Sequence, residues 1–365
     1  MSKLEQLMHS FIDQGLPWCT CALSVDGKTV FDRALGRIDP ERTVAASSRT
    51  VHRLYSATKI ITCICALQLV EEDKLVLDAP VSDYLPEFAA MTVRHPDGVR
   101  PAEKTITIRH LFTMTGGLDY NKDPYFTYCL SHPEAGTREI IGICPTVPLN
   151  FEPGSHFLYS LCHDVLGAVI EVITGKTLGQ VMKERVFDPV GMTHTGFRPV
   201  TDEAHPLAPL ACRQGKDVWF NAEDPLYFGS ENYESGGAGL YSCSEDYMRL
   251  LEALCAGRVF SPFILEKLQE NQLDEVGLAD LRESWDMAGY GWSLGVRTMM
   301  EPEQANPEVS VGEFGWSGAA GVYYLVDPAK QMALFFNMQV LANMDNPHMQ
   351  VALRNAAYEF LKELQ

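Results

Sequence analysis

The chain has 365 residues, which suits one large domain or two ordinary ones, and 46% of the residues are hydrophobic and 21% charged. This composition excludes the disordered, collagen-like and low-complexity classes of protein. The 29 basic and 48 acidic residues give a formal net charge of −19, which repels nucleic acid and anionic membranes, so neither is expected as a partner.

The first ten residues carry charged and polar side chains where a signal peptide needs an unbroken apolar segment. No stretch of the sequence approaches the roughly 18 apolar residues of a membrane span. We therefore expect a cytoplasmic protein. In such a compartment the ten cysteines are expected to be free thiols.

The predicted elements place strands near both ends of the chain. The first element is an amphipathic helix, whose apolar residues recur at helical spacing: Leu4, Leu7, Met8, Phe11 and Ile12. Apolar runs at 19–25 and 29–35 flank Asp26-Gly27, which is a strong hairpin signal. A second hairpin is predicted from the runs 321–326 and 332–338, and a final helix follows it.

The middle of the chain is predicted to be mainly helical. Helical patterns cover residues 56–77, 108–114, 159–174, 178–186 and 244–256. Long loops are predicted over 119–137 and 201–235, and their aromatic side chains are expected to border a pocket: Tyr120, Tyr125, Tyr128, Trp219, Phe220, Tyr227 and Phe228.

This order of elements predicts a mixed α/β (α+β) fold. The simplest topology is one antiparallel sheet built from both chain ends and flanked by helices, with a helical lobe inserted between the ends. We expect a single catalytic domain over residues 1–365. Its α/β lobe would take about 1–55 and 285–365, and its mostly helical lobe about 56–284.

Ser56 is the candidate nucleophile, because Lys59 follows it by three residues at the start of an apolar helical run. Residues three apart on a helix share one face, about 5–6 Å apart at Cβ, so the lysine can hydrogen-bond the serine hydroxyl. Burial disfavours the ammonium form of a lysine and lets the amine act as a base. The free N–H groups of the first turn can stabilise an oxyanion. On its own, this spacing is more often a capping serine followed by a surface lysine.

Two further segments favour the catalytic interpretation. Pro153-Gly154 predicts a turn that presents Tyr159 near a helix start, where a phenol can take the serine proton and return it to the leaving group. The segment 312–321 is rich in small residues, so its strand can approach a ligand closely and offer a backbone N–H as an oxyanion donor. A core tyrosine and a bulged glycine-rich strand are the simpler alternatives.

Together these segments resemble the serine β-lactamase and penicillin-binding-protein superfamily, in particular class C β-lactamases, D-alanyl-D-alanine carboxypeptidases and family VIII carboxylesterases. The resemblance extends over residues 81–88, 105–118, 153–167 and 236–246. It implies a β-lactamase/transpeptidase-like fold, with the site between a helical lobe and an α/β lobe. It also implies an acylated Ser56, catalytic partners Lys59 and Tyr159, and an oxyanion hole made by the N–H groups of Ser56 and Ala319.

Two positions depart from the pattern of this superfamily. Leu161 replaces the second-motif Asn, which normally bonds the lysine and the substrate amide. Trp316 replaces the third-motif Lys or His, which favours a substrate carboxylate, and family VIII esterases resemble this variant. Trp316 is interpreted either as an apolar wall of the substrate pocket or as a core residue, and Ser317 and Gly318 are expected to line the same site.

Other site classes fit the sequence less well. The segment 315–319 approaches the nucleophile elbow of α/β-hydrolases, but that fold needs an acid and then a histidine after the serine. Only 48 residues follow Ser317, and the one histidine among them, His348, lies inside or beside the last predicted helix. No spacing typical of metal ligands or nucleotide-binding glycines is found, so we expect neither a metal nor a cofactor.

The sequence thus predicts a serine hydrolase that cleaves or transfers an ester through an acyl-enzyme, with a small-molecule ester or amide as its substrate. The alternatives are a β-lactamase, a D-amino-acid amidase or carboxypeptidase, and a covalent penicillin-binding sensor that stays acylated. The sequence leaves the oligomeric state open, a homo-oligomer included.

Overall fold

The structure is a computed structural model that describes residues 1–121, 123–214, 217–220, 230–285, 287–341 and 346–364. Its strands are β1 (Trp18–Val25), β2 (Lys28–Gly36), β3 (His52–Arg53), β4 (Thr92–His95), β5 (Gly98–Pro101), β6 (Ala211–Gln214), β7 (Asp217–Phe220), β8 (Tyr241–Ser242), β9 (Tyr290–Trp292), β10 (Arg297–Met299), β11 (Phe314–Ser317), β12 (Tyr323–Asp327), β13 (Met332–Asn337) and β14 (Val340–Leu341).

The helices are α1 (Lys3–Asp13), α2 (Lys59–Glu71), α3 (Ile108–Phe112), α4 (Asp123–Ser131), α5 (Thr137–Ile141), α6 (Cys162–Thr174), α7 (Leu178–Met182), α8 (Asp188–Val190), α9 (Ser244–Ala256), α10 (Pro262–Gln269), α11 (Glu275–Trp285) and α12 (Asn346–Leu364). A π-helical turn, Lys183–Phe187, joins α7 to α8. Short 3₁₀ turns cover Tyr55–Thr58, Val81–Asp83, Pro86–Ala90, Cys144–Thr146, Pro302–Gln304 and Pro328–Lys330.

A seven-stranded antiparallel sheet frames the molecule, in the order β2-β1-β13-β12-β11-β10-β9. The predicted sheet from both chain ends is therefore confirmed, and so are both hairpins, β1–β2 and β12–β13. The first turn works because Asp26 and Gly27 both adopt positive φ, 52° and 68°, which a tight two-residue hairpin requires.

Both faces of this sheet are buried. Alternate residues of a strand point to opposite faces, so Leu23 faces α1 and α12, while Ala22 faces the core shared with the helical segments. Helix α2 is buried almost all round, which is typical of a helix inside a core. The side chains of its first turn are therefore held in fixed positions beside the sheet.

Several predicted loops contain regular structure. Helix α4 lies inside the predicted loop 119–137, and β6 and β7 lie inside the predicted loop 201–235. The sequence analysis also missed α10 and α11, although Ser261 caps α10 and Pro262 occupies its first turn, which is a readable helix start. Tertiary packing stabilises these elements, whose own apolar periodicity is weak.

Within the described residues, no single helix has the length and apolar character to cross a membrane. The segments Cys162–Thr174 and Leu178–Val190 meet that criterion only when joined, and they are bent by 81° at their junction. All ten cysteines are free thiols, and nine of them are buried.

Candidate active site

Ser56 lies in a 3₁₀ turn that leads directly into α2. The residue before it, Tyr55, has φ 47°, a left-handed conformation that is costly for a bulky aromatic side chain. The Ser56 side chain is partly exposed, whereas Lys59, one turn further on, is completely buried. The fold thus presents a reachable hydroxyl directly above a buried amine.

Lys59 bonds only neutral acceptors. Its Nζ lies 3.4 Å from Ser56 Oγ, 3.0 Å from the Tyr120 hydroxyl and 2.8 Å from the Gly237 carbonyl oxygen. No carboxylate of the described residues lies within 4.0 Å of this nitrogen, so Lys59 has no ion-pair partner there. The predicted contact between Ser56 and Lys59 is present in the structure.

A buried carboxylate holds the Gly237 acceptor in place. Asp164 accepts hydrogen bonds from Ser235 Oγ at 2.5 Å, from the Tyr233 hydroxyl at 2.6 Å and from the Gly237 N–H at 3.3 Å. A Cβ at position 237 would collide with this carboxylate and approach Lys59 Nζ within 3.3 Å, so only glycine fits. Asp164 therefore positions the loop that positions the lysine.

Tyr159 reaches the site from the segment just before α6. Its ring centroid lies 4.6 Å from Lys59 Nζ, and its hydroxyl accepts a hydrogen bond from Trp316 Nε1 at 2.9 Å. Among the described residues, this hydroxyl makes no direct hydrogen bond to Ser56 or Lys59. The three predicted groups are therefore brought together, but the phenol is not yet in contact with the serine.

Tyr120 joins the two halves of this arrangement. It accepts a hydrogen bond from Lys59, and its ring centroid lies 5.7 Å from that of Tyr159. Burial raises the pKa of Tyr120 well above its usual value, and the nearby Tyr159 adds to this effect, so Tyr120 remains a neutral donor. Hydrogen bonds thus link Ser56, Lys59 and Tyr120, and the Tyr159 ring packs against both Lys59 and Tyr120.

Trp316 belongs to an aromatic cluster around Tyr159. Its ring centroid lies 5.3 Å from that of Tyr159, 4.7 Å from Trp292 and 5.4 Å from Trp285. Trp316 is only 2% exposed, whereas Trp285 is 39% exposed. Trp316 is therefore packed like a core residue, while its N–H group is committed to Tyr159.

The segment after Trp316 lies directly against the residues before the nucleophile. A Cβ at Gly318 would collide with the Leu54 carbonyl, so this close approach requires glycine. Gly318 closes a turn with Val322, and Ala319 is exposed at the tip of that turn. Among the described residues, neither the Ser56 amide nor the Ala319 amide donates to another protein atom, so both amides are available to a ligand.

Other residues singled out from the sequence lie in different places. Leu161 is 2% exposed and packs in the core, and His163 contacts the Phe112 carbonyl and Cys63 instead of Lys59. Tyr120 borders the site as expected. Tyr125 is buried against Cys144, Tyr128 stacks on His132, and Trp219 and Phe220 belong to β7. Tyr227 and Phe228 lie outside the described residues.

Three partners in this arrangement were not identified as such from the sequence. Tyr120 was noted only as a loop aromatic, Gly237 only as part of a glycine-rich match, and Asp164 only as part of a helix. The position of Asp164, beside His163 at the start of an apolar helix, is a signal that could have identified it. An acidic residue buried there needs hydrogen-bond donors around it.

Comparisons with known proteins agree with this geometry. Residues 3–358 match the Beta-lactamase family. Esterase EstB of Burkholderia gladioli is 32% identical over 359 residues, which cover 91% of this chain and 88% of that protein.

Two solved structures share the fold. EstCE1, described as a hydrolase with promiscuous acyltransferase activity, superposes with a TM-score of 0.82 at 26% identity and covers 98% of this chain and 97% of its own. Simvastatin synthase LovD of Aspergillus terreus gives the same TM-score at 20% identity, over 98% of this chain and 97% of its own, and therefore supports the fold alone. With its antiparallel sheet, its Ser56–Lys59 pair and a family match over nearly its whole length, this chain belongs to the Beta-lactamase family, as one of its serine hydrolases.

Proposed function

We propose that the protein cleaves esters of modest polarity through an acyl-enzyme on Ser56. The observation that carries this proposal is the contact of the Ser56 hydroxyl with a buried Lys59, which has no carboxylate partner among the residues that the structure describes. A lysine without an ion-pair partner can accept a proton, and a nucleophile needs such a base within hydrogen-bonding reach.

The reaction divides into two steps. Ser56 Oγ attacks the ester carbonyl carbon while its proton passes to Lys59, which lies 4.6 Å from the ring of Tyr159. The N–H groups of Ser56 and Ala319 stabilise the tetrahedral oxyanion, and the departing alkoxide receives the proton as the C–O bond breaks. Water, or a second alcohol, then attacks the acyl-enzyme by the same route in reverse and releases the acid or a new ester.

The substrate class follows from the third-motif position. Trp316 supplies no charge there, and its only N–H group already bonds Tyr159, so nothing at this position pairs with a substrate carboxylate. Leu161 supplies no amide group for a substrate peptide bond. A neutral acyl group beside the aromatic cluster suits such a site better than an acidic peptide or a β-lactam carboxylate.

The relatives favour the same assignment. EstB carries the name of an esterase, and EstCE1 is described as a hydrolase that also transfers acyl groups. Both descriptions suit a site in which either water or an alcohol releases the acyl group from a serine.

The test compares short p-nitrophenyl esters with a chromogenic cephalosporin, with the intact mass of the protein followed during each reaction. Ester turnover with a transient acyl adduct on Ser56, and little cephalosporin turnover, would support the proposal. Cephalosporin turnover as the faster reaction would favour the β-lactamase alternative, and a lasting adduct without turnover would favour a covalent sensor.

Ser56→Ala is the decisive control, because it removes the nucleophile and leaves the surrounding contacts nearly intact. Ester turnover in this variant is expected to fall by about 10⁴-fold or more. A variant that keeps wild-type turnover, with the same melting temperature, would place the chemistry elsewhere in the molecule.

A further inference from the structure

A second cluster of functional side chains lies outside the active site, in the segment between α8 and β6. His194, Asp202 and His205 each offer one potential ligand atom, and these atoms lie within 4.8 Å of one another. We propose that these three residues form a binding site for a divalent transition-metal ion of the zinc class. The sequence analysis expected no metal site.

The spacing of the ligand atoms fits one ion. His194 Nε2 lies 3.2 Å from Asp202 Oδ2, and His205 Nδ1 lies 2.8 Å from Asp202 Oδ1. Ligand atoms about 2.1 Å from a tetrahedral zinc ion are about 3.4 Å apart, and the three ligand atoms here lie within 4.8 Å of one another, so small side-chain rotations bring them to that spacing. Two imidazoles and one carboxylate also form a mixed nitrogen and oxygen set that suits zinc, nickel and cobalt.

The backbone carries two of the ligands in place without any ion. The Asp202 carboxylate is held by the backbone N–H groups of Ala204 at 2.8 Å and His205 at 2.9 Å. The His194 N–H donates to the buried Asp246 at 2.6 Å. A site whose ligands are already held in position loses little conformational entropy when an ion arrives.

The remaining ring nitrogen of His194 has a partner suited to metal binding. His194 Nδ1 lies 3.0 Å from Thr193 Oγ1. With its proton on Nδ1 donated to that hydroxyl, His194 presents the lone pair of Nε2 to an ion, the arrangement found around most metal-bound histidines. The ion binds only an unprotonated ring nitrogen, so any proton that an imidazole shares with Asp202 moves to its other ring nitrogen or is released when the ion binds.

One adjustment accompanies binding. The two imidazole rings are stacked, with centroids 3.4 Å apart and an angle of 13° between their planes, so their lone pairs lie in nearly parallel planes. A shared ion requires the rings to splay by a modest rotation about their side-chain bonds. Both histidines are mostly buried, whereas the Asp202 side chain is 53% exposed and leaves a path from solvent.

The location indicates a structural role for the ion. The residues after His205 are hydrogen-bonded to Val51, which donates to the Pro206 carbonyl and accepts from the Ala208 N–H. Val51 lies in the segment that leads to Ser56. On the other side, Gly196 pairs with Tyr241 of β8. An ion would therefore clamp a long surface connection against the body of the protein, and the Ser56 chemistry needs no metal.

The experiment uses the full chain after removal of metal with a chelator and dialysis. Zinc and nickel ions are titrated calorimetrically, and the cobalt-substituted protein is examined by visible absorption. We expect one saturable equivalent, a cobalt spectrum of nitrogen and oxygen ligands, and a higher melting temperature at saturating zinc. Asp202→Asn and His205→Gln should each weaken zinc affinity by at least about tenfold.

Matched controls separate this site from other ligands. His95→Gln removes a histidine beside a single carboxylate, Asp97 at 3.6 Å, and should leave zinc affinity unchanged. Cys212→Ser removes the one cysteine that is not fully buried and should also have no effect. Absence of a saturable site, a thiolate-type cobalt spectrum, or equal affinity in wild type and the folded His205→Gln variant would overturn the proposal. Ester turnover is expected to be the same with and without chelator, so the outcome is independent of the proposed esterase activity.

Discussion

This fold surrounds two buried basic side chains, Lys59 and Arg297, with different partners. Lys59 is completely buried against a hydroxyl, a phenol and a backbone carbonyl. Arg297 is 4% exposed, and it donates to Glu313 at 3.2 Å and to the Tyr323 hydroxyl at 3.2 Å. Within the part of the chain that the structure describes, Lys59 has no carboxylate partner, whereas Arg297 has one.

The Arg297 cluster has the features of a structural network. Burial raises the pKa of Glu313 above its usual value, and the charge of Arg297 opposes that rise. Tyr290 donates to the same carboxylate at 2.9 Å, and Arg354 from α12 donates to Tyr290 at 3.2 Å. The polar groups of this cluster are hydrogen-bonded to one another, and these bonds connect the sheet to α12.

Lys59 and Arg297 are therefore expected to differ in their contributions to stability. A buried basic group without a carboxylate contributes little to stability, because no Coulomb attraction offsets its desolvation. The same lack of an ion pair leaves the amine available for proton transfer. We therefore expect mutations at Lys59 and Arg297 to separate activity from stability.

The largest expected effect comes from Lys59→Met, which keeps the apolar stem and removes the amine. Ester turnover, measured as kcat/KM on a p-nitrophenyl ester, should fall by about 10³- to 10⁴-fold because the serine loses its base. The free energy of unfolding, measured in urea, should hold or rise because a desolvated amine is removed.

Lys74→Met provides the matched control for this substitution. Lys74 follows α2, is well exposed and pairs with Glu72 at 2.7 Å on the surface, so both activity and stability should remain near wild type. If Lys59→Met lowered the free energy of unfolding as much as Arg297→Met does, the expected difference between the two residues would be wrong.

Arg297→Met should show the opposite pattern. Removing the guanidinium leaves Glu313 buried without its counter-charge, and the free energy of unfolding should fall by about 3–5 kcal/mol. kcat/KM should stay close to wild type when it is assayed well below the melting temperature. The double variant Arg297→Met/Glu313→Gln should recover part of the stability, and a double variant no more stable than the single one would contradict this explanation.

Local signals explain which parts of this contrast could be predicted. The S-x-x-K spacing places Ser56 and Lys59 on one helical turn, and Asp26-Gly27 fixes the first hairpin, because both depend on residues close in sequence. The match of Trp316 to a motif position located the third segment correctly.

Contacts between distant loops explain the rest. Tyr120 and Gly237 reach Lys59 from segments that are separated from it by 61 and 178 positions, and no periodicity reports such a meeting. The spacing of His194, Asp202 and His205 is likewise irregular, since the chain turns between the ligands instead of following a helix face. Propensity and pattern therefore predict the candidate nucleophile and base but leave the hydrogen-bond acceptors around Lys59 undetermined.

His163 shows a third way to bury a basic group, which is to keep it neutral. Burial lowers its pKa to about 3, and the charge of Lys59 adds to this effect. Because the unfolded chain binds the proton near pH 6.5, stability is fully present above that pH and is lost as the pH falls toward 3. By pH 5 the loss from this residue should reach about 2 kcal/mol.

Urea unfolding at several pH values between 7 and 5 tests this window, with His163→Gln as the comparison. Glutamine can still donate to the Phe112 carbonyl, which His163 approaches at 3.2 Å, but it takes up no proton. In the variant, the number of protons taken up on unfolding should fall by about one, which lowers the slope of the unfolding free energy against pH. His52, whose pKa burial lowers to about 4, contributes a similar pH dependence in both proteins. An unchanged slope would show that His163 is not held neutral.

The smallest expected effect concerns Trp316, whose side-chain N–H group donates a hydrogen bond to the Tyr159 hydroxyl. Trp316→Phe keeps an aromatic ring in the cluster and removes this donor. If the indole positions the phenol, kcat should fall by about tenfold with little change in KM, since a single hydrogen bond to a reacting group is lost.

A double-mutant cycle with Tyr159→Phe distinguishes this role from that of a pocket wall. When Tyr159 lacks its hydroxyl, Trp316 has nothing to position, so adding Trp316→Phe should cause almost no further loss of kcat. A pocket wall would act on substrate binding in either background, and the second substitution would then raise KM by the same factor with or without the phenol. Equal and additive losses would therefore assign Trp316 to the substrate, whereas a non-additive cycle assigns it to Tyr159.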